Sequence, residues 1–125
     1  MLQDSVKMRL ISDVPVGTFC SGGVDSSLVT ALASRIKGGA VNTFSIGFDE
    51  PEYDESAFAL MVSKQYGTIH HQLTIGNAEF SDLFPQMVWQ NDEPLNFANS
   101  VQIFALSRLA KQHVTVVLTG EGSDE

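Results

Sequence analysis

The sequence predicts an α/β fold: an open parallel sheet with helices on both faces. Three observations predict it. Short runs rich in valine, isoleucine, threonine and phenylalanine alternate along the chain with longer stretches whose apolar residues recur at helical spacing. The stretches between the runs are long enough for right-handed helical crossovers, which join parallel strands. Glycine-bearing signatures at 20–27, 45–48 and 119–124 each follow a predicted strand end, so they gather on the sheet edge where such folds collect ligands.

Residues 14–20 read as the first strand. The helix predicted over 25–36 sets Leu28, Val29, Leu32 and Ile36 on one face, and Gly38-Gly39 stops it. Residues 41–48 read as the second strand. The next helix is expected to begin near Asp54, to bury Phe58, Met61 and Val62, and to end at Gly67. A third strand follows over 69–75. Phe80, Leu83, Phe84, Met87 and Val88 mark another helical face despite Pro85, then an irregular stretch around Pro94 leads to a helix from about Ser100 to Lys111. Residues 114–118 form the fourth expected strand. Trp89 and the phenylalanines read as core, because no basic residues interleave with them as a nucleic-acid stacking surface would require. There is no internal repeat, low-complexity block or interdomain linker.

With 125 residues, of which 43% are hydrophobic and 18% charged, the chain can bury one core, so residues 1–125 read as one unit. Its formal net charge of −8 argues against nucleic acid or an anionic membrane as partner, since both call for a basic face. The start of the chain has no signal-peptide pattern and no apolar run is long enough to cross a bilayer, so a soluble cytoplasmic protein is expected. Cys20 is the only cysteine, which rules out an intrachain disulfide and a cysteine-cluster metal site. A thiol beside a helix N-terminus could be an activated nucleophile. A small core residue at the end of a buried strand is the stronger reading.

Ser21-Gly22-Gly23-Val24-Asp25-Ser26-Ser27 lies between a strand and a helix. A strand turning through two glycines into a helix leaves several amides without intrahelical acceptors, converging where the helix dipole favours negative charge. The hydroxyls of Ser21, Ser26 and Ser27 add donors. Asp25 would repel phosphate unless a divalent cation lay between them, so the loop predicts Mg²⁺ together with ATP. The acidic run Asp49, Glu50, Glu52, Asp54, Glu55 lacks the glycine and terminal glutamate of a calcium loop and reads as a solvated turn entering a helix. His70 and His71 face opposite sides of a strand and so do not share one metal, one being expected to pack and the other to hydrogen-bond. His113 gives no specific signal.

The loop resembles the pyrophosphate loop of the N-type ATP pyrophosphatases. Taken with Asp13-Val14-Pro15-Val16-Gly17, Thr43-Phe44-Ser45-Ile46-Gly47-Phe48, Gly67-Thr68-Ile69-His70-His71 and Gly120-Glu121-Gly122-Ser123-Asp124-Glu125, it is similar to the synthetase domain of glutamine-hydrolysing asparagine synthetases, a branch that includes the beta-lactam synthetases. The match runs from about Ser12 to the last residue. The resemblance implies an adenine nucleotide alpha hydrolase-like sheet of order 3-2-1-4. It implies ATP contacts from Cys20, Ser21, Gly22, Gly23, Asp25, Ser26, Ile46, Gly47, Thr119 and Gly120, with Ile46 and Gly47 flanking adenine. It also implies magnesium at Asp25 and Asp124, and a catalytic part for Glu121 in forming an acyl-adenylate and handling the proton of attacking ammonia.

The implied reaction adenylates the β-carboxylate of aspartate, releasing pyrophosphate, and ammonia from a glutaminase domain then displaces AMP. The chain stops inside the 120–125 motif and carries no glutaminase domain, so it reads as a fragment, inactive and marginally stable by itself. Any oligomer would form through other regions. Between Asp92-Glu93-Pro94 and Ser107-Arg108, Leu95-Asn96-Phe97-Ala98-Asn99-Ser100 departs from the small, proline-containing sequences of many relatives. Another carboxylate acceptor, as in a beta-lactam synthetase, therefore stays open, as does a non-catalytic nucleotide-binding role. A serine hydrolase elbow at Ser21 is disfavoured because position 19 is Phe19 rather than glycine. A P-loop kinase or GTPase is excluded by the lack of a glycine-lysine-serine or glycine-lysine-threonine sequence.

Overall fold

Four parallel strands, β1 (Val16–Phe19), β2 (Asn42–Phe48), β3 (Ile69–Ile75) and β4 (Val116–Leu118), form one sheet of order β3-β2-β1-β4 in a computed structural model. The structure describes residues 1–38, 40–50, 52, 54–93 and 99–121. Gly17 of β1 stands opposite Asn42 and Val117, and β2 pairs along its whole length with β3, from Asn42 opposite Ile69 to Phe48 opposite Ile75. The helices are α1 (Leu2–Arg9), α2 (Val24–Lys37), α3 (Ser56–Tyr66), α4 (Asn77–Asn91) and α5 (Ser100–Ala110). The predicted class and strand order hold, and β3 has the expected bounds. β1 and β4 each begin two residues later than the sequence reading, and the 45–48 signature forms the end of β2 rather than following it.

Each face of the sheet has its own core. On one, Phe44 packs with Leu106 and Ala110 of α5 and with Val114. On the other, Val41 packs with Val6 of α1 and Ala33 of α2. Helix α1 was not foreseen, because in eight residues it offers only Val6 as a buried anchor, too little for a periodic signal. Helices α2 and α3 end where predicted, at Gly38 and Gly67, both in the left-handed conformation.

Several expected core residues are not core. Phe58 is 57% exposed, Met61 65% and Trp89 86%, while Leu28 and Phe84 are also exposed. The reason at α3 is the chemistry of the sheet it covers. Its buried side is Ser56, Ala59 and Ser63, spaced for one helical face, and it meets a polar strand surface. There Thr43 Oγ1 bonds to Thr68 Oγ1 at 3.0 Å and Thr68 Oγ1 donates to Ser63 Oγ at 2.9 Å. The small polar side of α3 fits that surface and its large apolar side turns outward. Helix α4 accommodates Pro85 and has no fully buried residue. The stretch 94–98 lies outside the described residues, as does Gly39. Among the described residues no helix is long and apolar enough to cross a membrane.

The two histidines of β3 do face opposite sides, but the split between packing and hydrogen bonding is not the expected one. His70 hydrogen-bonds through both ring nitrogens, Nδ1 with Thr43 Oγ1 at 2.9 Å and Nε2 with Ser45 Oγ at 3.1 Å. His71 does both: its Nε2 meets Asn42 Oδ1 at 2.9 Å, and its ring stacks between Phe44, at 5.0 Å, and His113, at 3.9 Å. Burial, and then the neighbouring histidine, push both pKa values down. Below a pH of about 6.5, the unperturbed histidine value, the unfolded chain therefore binds more protons than the folded one, and stability falls with falling pH. Urea midpoints at pH 7.5 and 5.5 check this. A lower midpoint at pH 5.5 is expected, with a smaller drop in His71→Phe, and equal midpoints would contradict it.

Candidate functional site

The loop after β1 is knitted by its own serines. Ser21 Oγ and Ser26 Oγ lie 3.0 Å apart, the Ser21 amide donates to Ser26 Oγ at 3.2 Å, and the Gly23 amide donates to Ser21 Oγ at 3.3 Å. Ser26 Oγ donates in turn to the Gly23 carbonyl at 3.2 Å. The helical ladder of α2 begins only with the Ser27 amide, bonded to the Gly23 carbonyl at 3.0 Å. The amides of Val24, Asp25 and Ser26 thus have no intrahelical acceptor and lie at the positive end of a 14-residue helix.

Glycines shape this cradle by close approach. Gly22 has φ +89°, and a Cβ there would stand 2.7 Å from the Ala59 amide nitrogen, so the loop rests against α3. A Cβ on Gly120 would lie 2.7 Å from the Ser26 amide nitrogen. The turn after β4 therefore closes directly over the first turn of α2, as only a residue without a side chain allows.

Between them opens a cavity of about 460 Å³ at the carboxyl edge of the sheet, within the range of small-molecule sites. It is lined by Cys20, Ser21, Gly23, Asp25, Ser26, Ile46, Thr119, Gly120 and Glu121, bringing together nine of the sequence-predicted residues from three strand ends. Gly22 and Gly47 are not on its wall: Gly22 meets α3, and Gly47 faces Asp54, Ser56 and Gln72. Asp124 lies outside the described residues. Sequence reasoning missed Glu55 and the α5 side chains Gln102, Ile103 and Leu106. They carry no motif; only the topology, which lays α5 against β2 and β3 and brings the start of α3 to the same edge, reveals them.

Cys20 is buried, 1% exposed, and burial raises its pKa. Its amide donates to the Phe44 carbonyl at 2.9 Å. A thiol held protonated is a poor nucleophile, so the core reading stands. Asp54 accepts from the Ser56 amide at 3.1 Å and from Ser56 Oγ at 2.9 Å, bonds that hold its carboxyl below the usual range and start α3. This fits the helix-entry reading of the acidic run.

Asp25, Glu55 and Glu121 line the cavity, and its described wall has no lysine, arginine or histidine. That wall offers an anion amides and hydroxyls and no cationic side chain. Among the described residues no group of three His, Cys, Asp or Glu side chains could hold a metal by itself. The carboxylates of Asp25 and Glu121 on the wall fit an ion like Mg²⁺, which keeps waters and takes phosphate oxygens beside one or two carboxylates.

Comparison with known proteins bears on the fold and the family. A solved ammonia-dependent NAD synthetase from Campylobacter jejuni superposes with a TM-score of 0.63 at 18% identity, covering 93% of this chain and 52% of that one. An NMN synthetase from Francisella tularensis gives 0.55, also at 18% identity, covering 93% of this chain and 48% of that one. Both show the same fold. Glutamine-hydrolyzing asparagine synthetase 1 of Bacillus subtilis is 36% identical over 99% of this chain and 20% of its own length. A Methanocaldococcus jannaschii protein provisionally named a glutamine-hydrolyzing asparagine synthetase is 40% identical over all of this chain and 24% of its own. The amidase chyE of Penicillium rubens is 34% identical over 99% of this chain and 21% of its own. The chain spans a quarter or less of these relatives. The asparagine synthase family model matches residues 1–125 in full, and the chain belongs to that family.

Proposed function

We propose that this chain forms the ATP-binding part of a ligase that activates a carboxylate as its adenylate for amide formation, with the aspartate β-carboxylate as acceptor. The observation that carries this reading is the single cavity that joins the α2 N-terminus, the end of β2 and the Gly120 turn. The amides of Val24, Asp25 and Ser26, with the Ser21 hydroxyl, would bind the β- and γ-phosphates. Cys20 and Ile46 give the adenine an apolar wall, and Thr119 and Gly120 border the α-phosphate.

A carboxylate oxygen attacks the α-phosphorus, the bond to pyrophosphate breaks, and the mixed anhydride then loses AMP to ammonia. A carboxylate is a poor electrophile at neutral pH, which is why activation precedes amidation. Glu121, exposed at the mouth, would accept a proton from the attacking ammonia. Asp25, with Asp124 as the proposed second carboxylate, would hold magnesium, which would neutralise charge on the leaving pyrophosphate. Ammonia would come from a glutaminase domain elsewhere in the complete protein, and the cytoplasm is the expected setting. The identity to the amidase chyE keeps a second acceptor class in view.

Titration of Mg-ATP into the 125-residue chain tests the site. Amide shifts concentrated at residues 21–26 and 119–121 are expected. Asp25→Ala is expected to weaken Mg-ATP about tenfold, roughly 1.4 kcal/mol, while changing metal-free ATP far less. Shifts elsewhere, or equal losses with and without metal, would contradict the assignment.

A further inference from the structure

A second cavity, of about 610 Å³, opens at the same sheet edge beside the first. Its wall comes from the end of β2 (Phe48), the following turn (Glu50), the end of β3 (Ile75, Gly76), the first turn of α4 (Asn77, Phe80) and Gln102 of α5. No residue of the adenylation machinery lies in it. Phe48 and Gln102 belong to both cavities and form the partition between them.

The chemistry of the wall is specific. Two phenylalanine rings and Ile75 make it apolar, and the only charge on its described lining is the Glu50 carboxylate. That carboxylate is held in place: Asn77 Nδ2 donates to Glu50 Oε1 at 2.6 Å, leaving Oε2 for a ligand. A positioned carboxylate beside aromatic rings complements a compact cation, which gains a charge-assisted hydrogen bond and favourable ring electrostatics together. A neutral or anionic ligand gains neither. The volume admits a small molecule with room to spare.

We propose that this cavity is a binding site for a small ligand carrying a primary alkylammonium group, with Glu50 as its counter-ion and Phe48 and Phe80 as its walls. The group hydrogen-bonds to Glu50 Oε2 and its alkyl chain lies against Phe80 and Ile75. Because the two cavities share a partition, and because the ligand adds positive charge beside a site for a polyanion, it raises the affinity of the first cavity for ATP. By linkage ATP raises the ligand's affinity by the same factor. This goes beyond the adenylation reading, since binding of the amine alone does not depend on ATP being a substrate.

The probe is n-pentylamine, with 1-pentanol as the neutral molecule of equal size, titrated into the full chain and followed by amide shifts. Shifts at Ile75, Gly76 and Phe80 with the amine and not the alcohol are expected. Glu50→Gln keeps an oxygen for Asn77 and removes only the charge, so it is expected to weaken the amine at least tenfold with an unchanged unfolding midpoint. Phe80→Leu is expected to weaken it several-fold. No shift at the cavity, equal response to the alcohol, or undiminished binding in a folded Glu50→Gln protein would overturn the proposal. Failure of ATP to bind while the amine binds would count against the adenylation reading and the coupling drawn from it, and leave the amine site itself standing.

Discussion

Phe44→Ala is expected to destabilise the fold by about 3–5 kcal/mol, the usual cost of emptying a buried phenylalanine site. Phe44 is 0% exposed at the centre of the sheet, packed on Leu106, Ala110 and Val114 and flanked by Phe19, Leu109 and Val117. Its ring also stacks on His71 at 5.0 Å and approaches His113 at 6.0 Å. The site cannot collapse easily. It is walled by two paired strands and α5, and Gly17 lies directly beneath, where a Cβ would come 2.8 Å from the ring. Loss of the ring frees the α5 side of the proposed ATP cavity as well, because Phe44 and Leu106 line it. Urea unfolding measures the effect, and a loss below about 1 kcal/mol would show that Phe44 is not the keystone of this core.

Gly120→Ala is expected to reduce Mg-ATP affinity more than tenfold while leaving secondary structure intact. The added methyl would sit 2.7 Å from the Ser26 amide nitrogen, 2.9 Å from the Asp25 carbonyl carbon and 3.1 Å from Asp25 Cβ. Those atoms belong to the helix turn proposed to hold phosphate and metal. Relief of the overlap requires the β4 turn to lift from α2, which opens the cavity and carries Thr119 and Glu121 away from it. A tenfold loss corresponds to about 1.4 kcal/mol, modest against the overlap that has to be relieved. Calorimetric titration of both proteins checks it. Unchanged affinity in a folded Gly120→Ala protein would mean that ATP does not use the contact between the β4 turn and α2.

Much of this molecule was legible because its local signals agree with its topology. The turn from β1 into α2, the left-handed caps at Gly38 and Gly67 and the run of β3 are set by residues adjacent in sequence, and they fall where the sequence places them. Nine proposed site residues meet in one cavity because three strand ends of one parallel sheet must share an edge.

What was not legible depends on contacts between distant residues. Phe58 and Met61 look like a core stripe, yet α3 turns them outward because Ser63, Thr68, Thr43 and His70 form a hydrogen-bonded seam between helix and sheet. The periodicity of α3 contains both faces and cannot say which one meets a polar sheet. Gly47 illustrates the limit of a motif: next to Ile46 in sequence, it faces α3 rather than the cavity, because neighbouring residues on a strand point to opposite sides. Gln102, Ile103 and the His71–His113 stack have no sequence signature at all, since each exists only when α5 is laid against β2 and β3.

The most direct test of the proposed adenylation is exchange of labelled pyrophosphate into ATP, in a chain that carries this sequence at the full length of its relatives, with and without aspartate and with Asp25→Ala as control. Exchange that requires both aspartate and Asp25 is the expected result. A folded protein that binds Mg-ATP but shows no aspartate-dependent exchange would contradict the account.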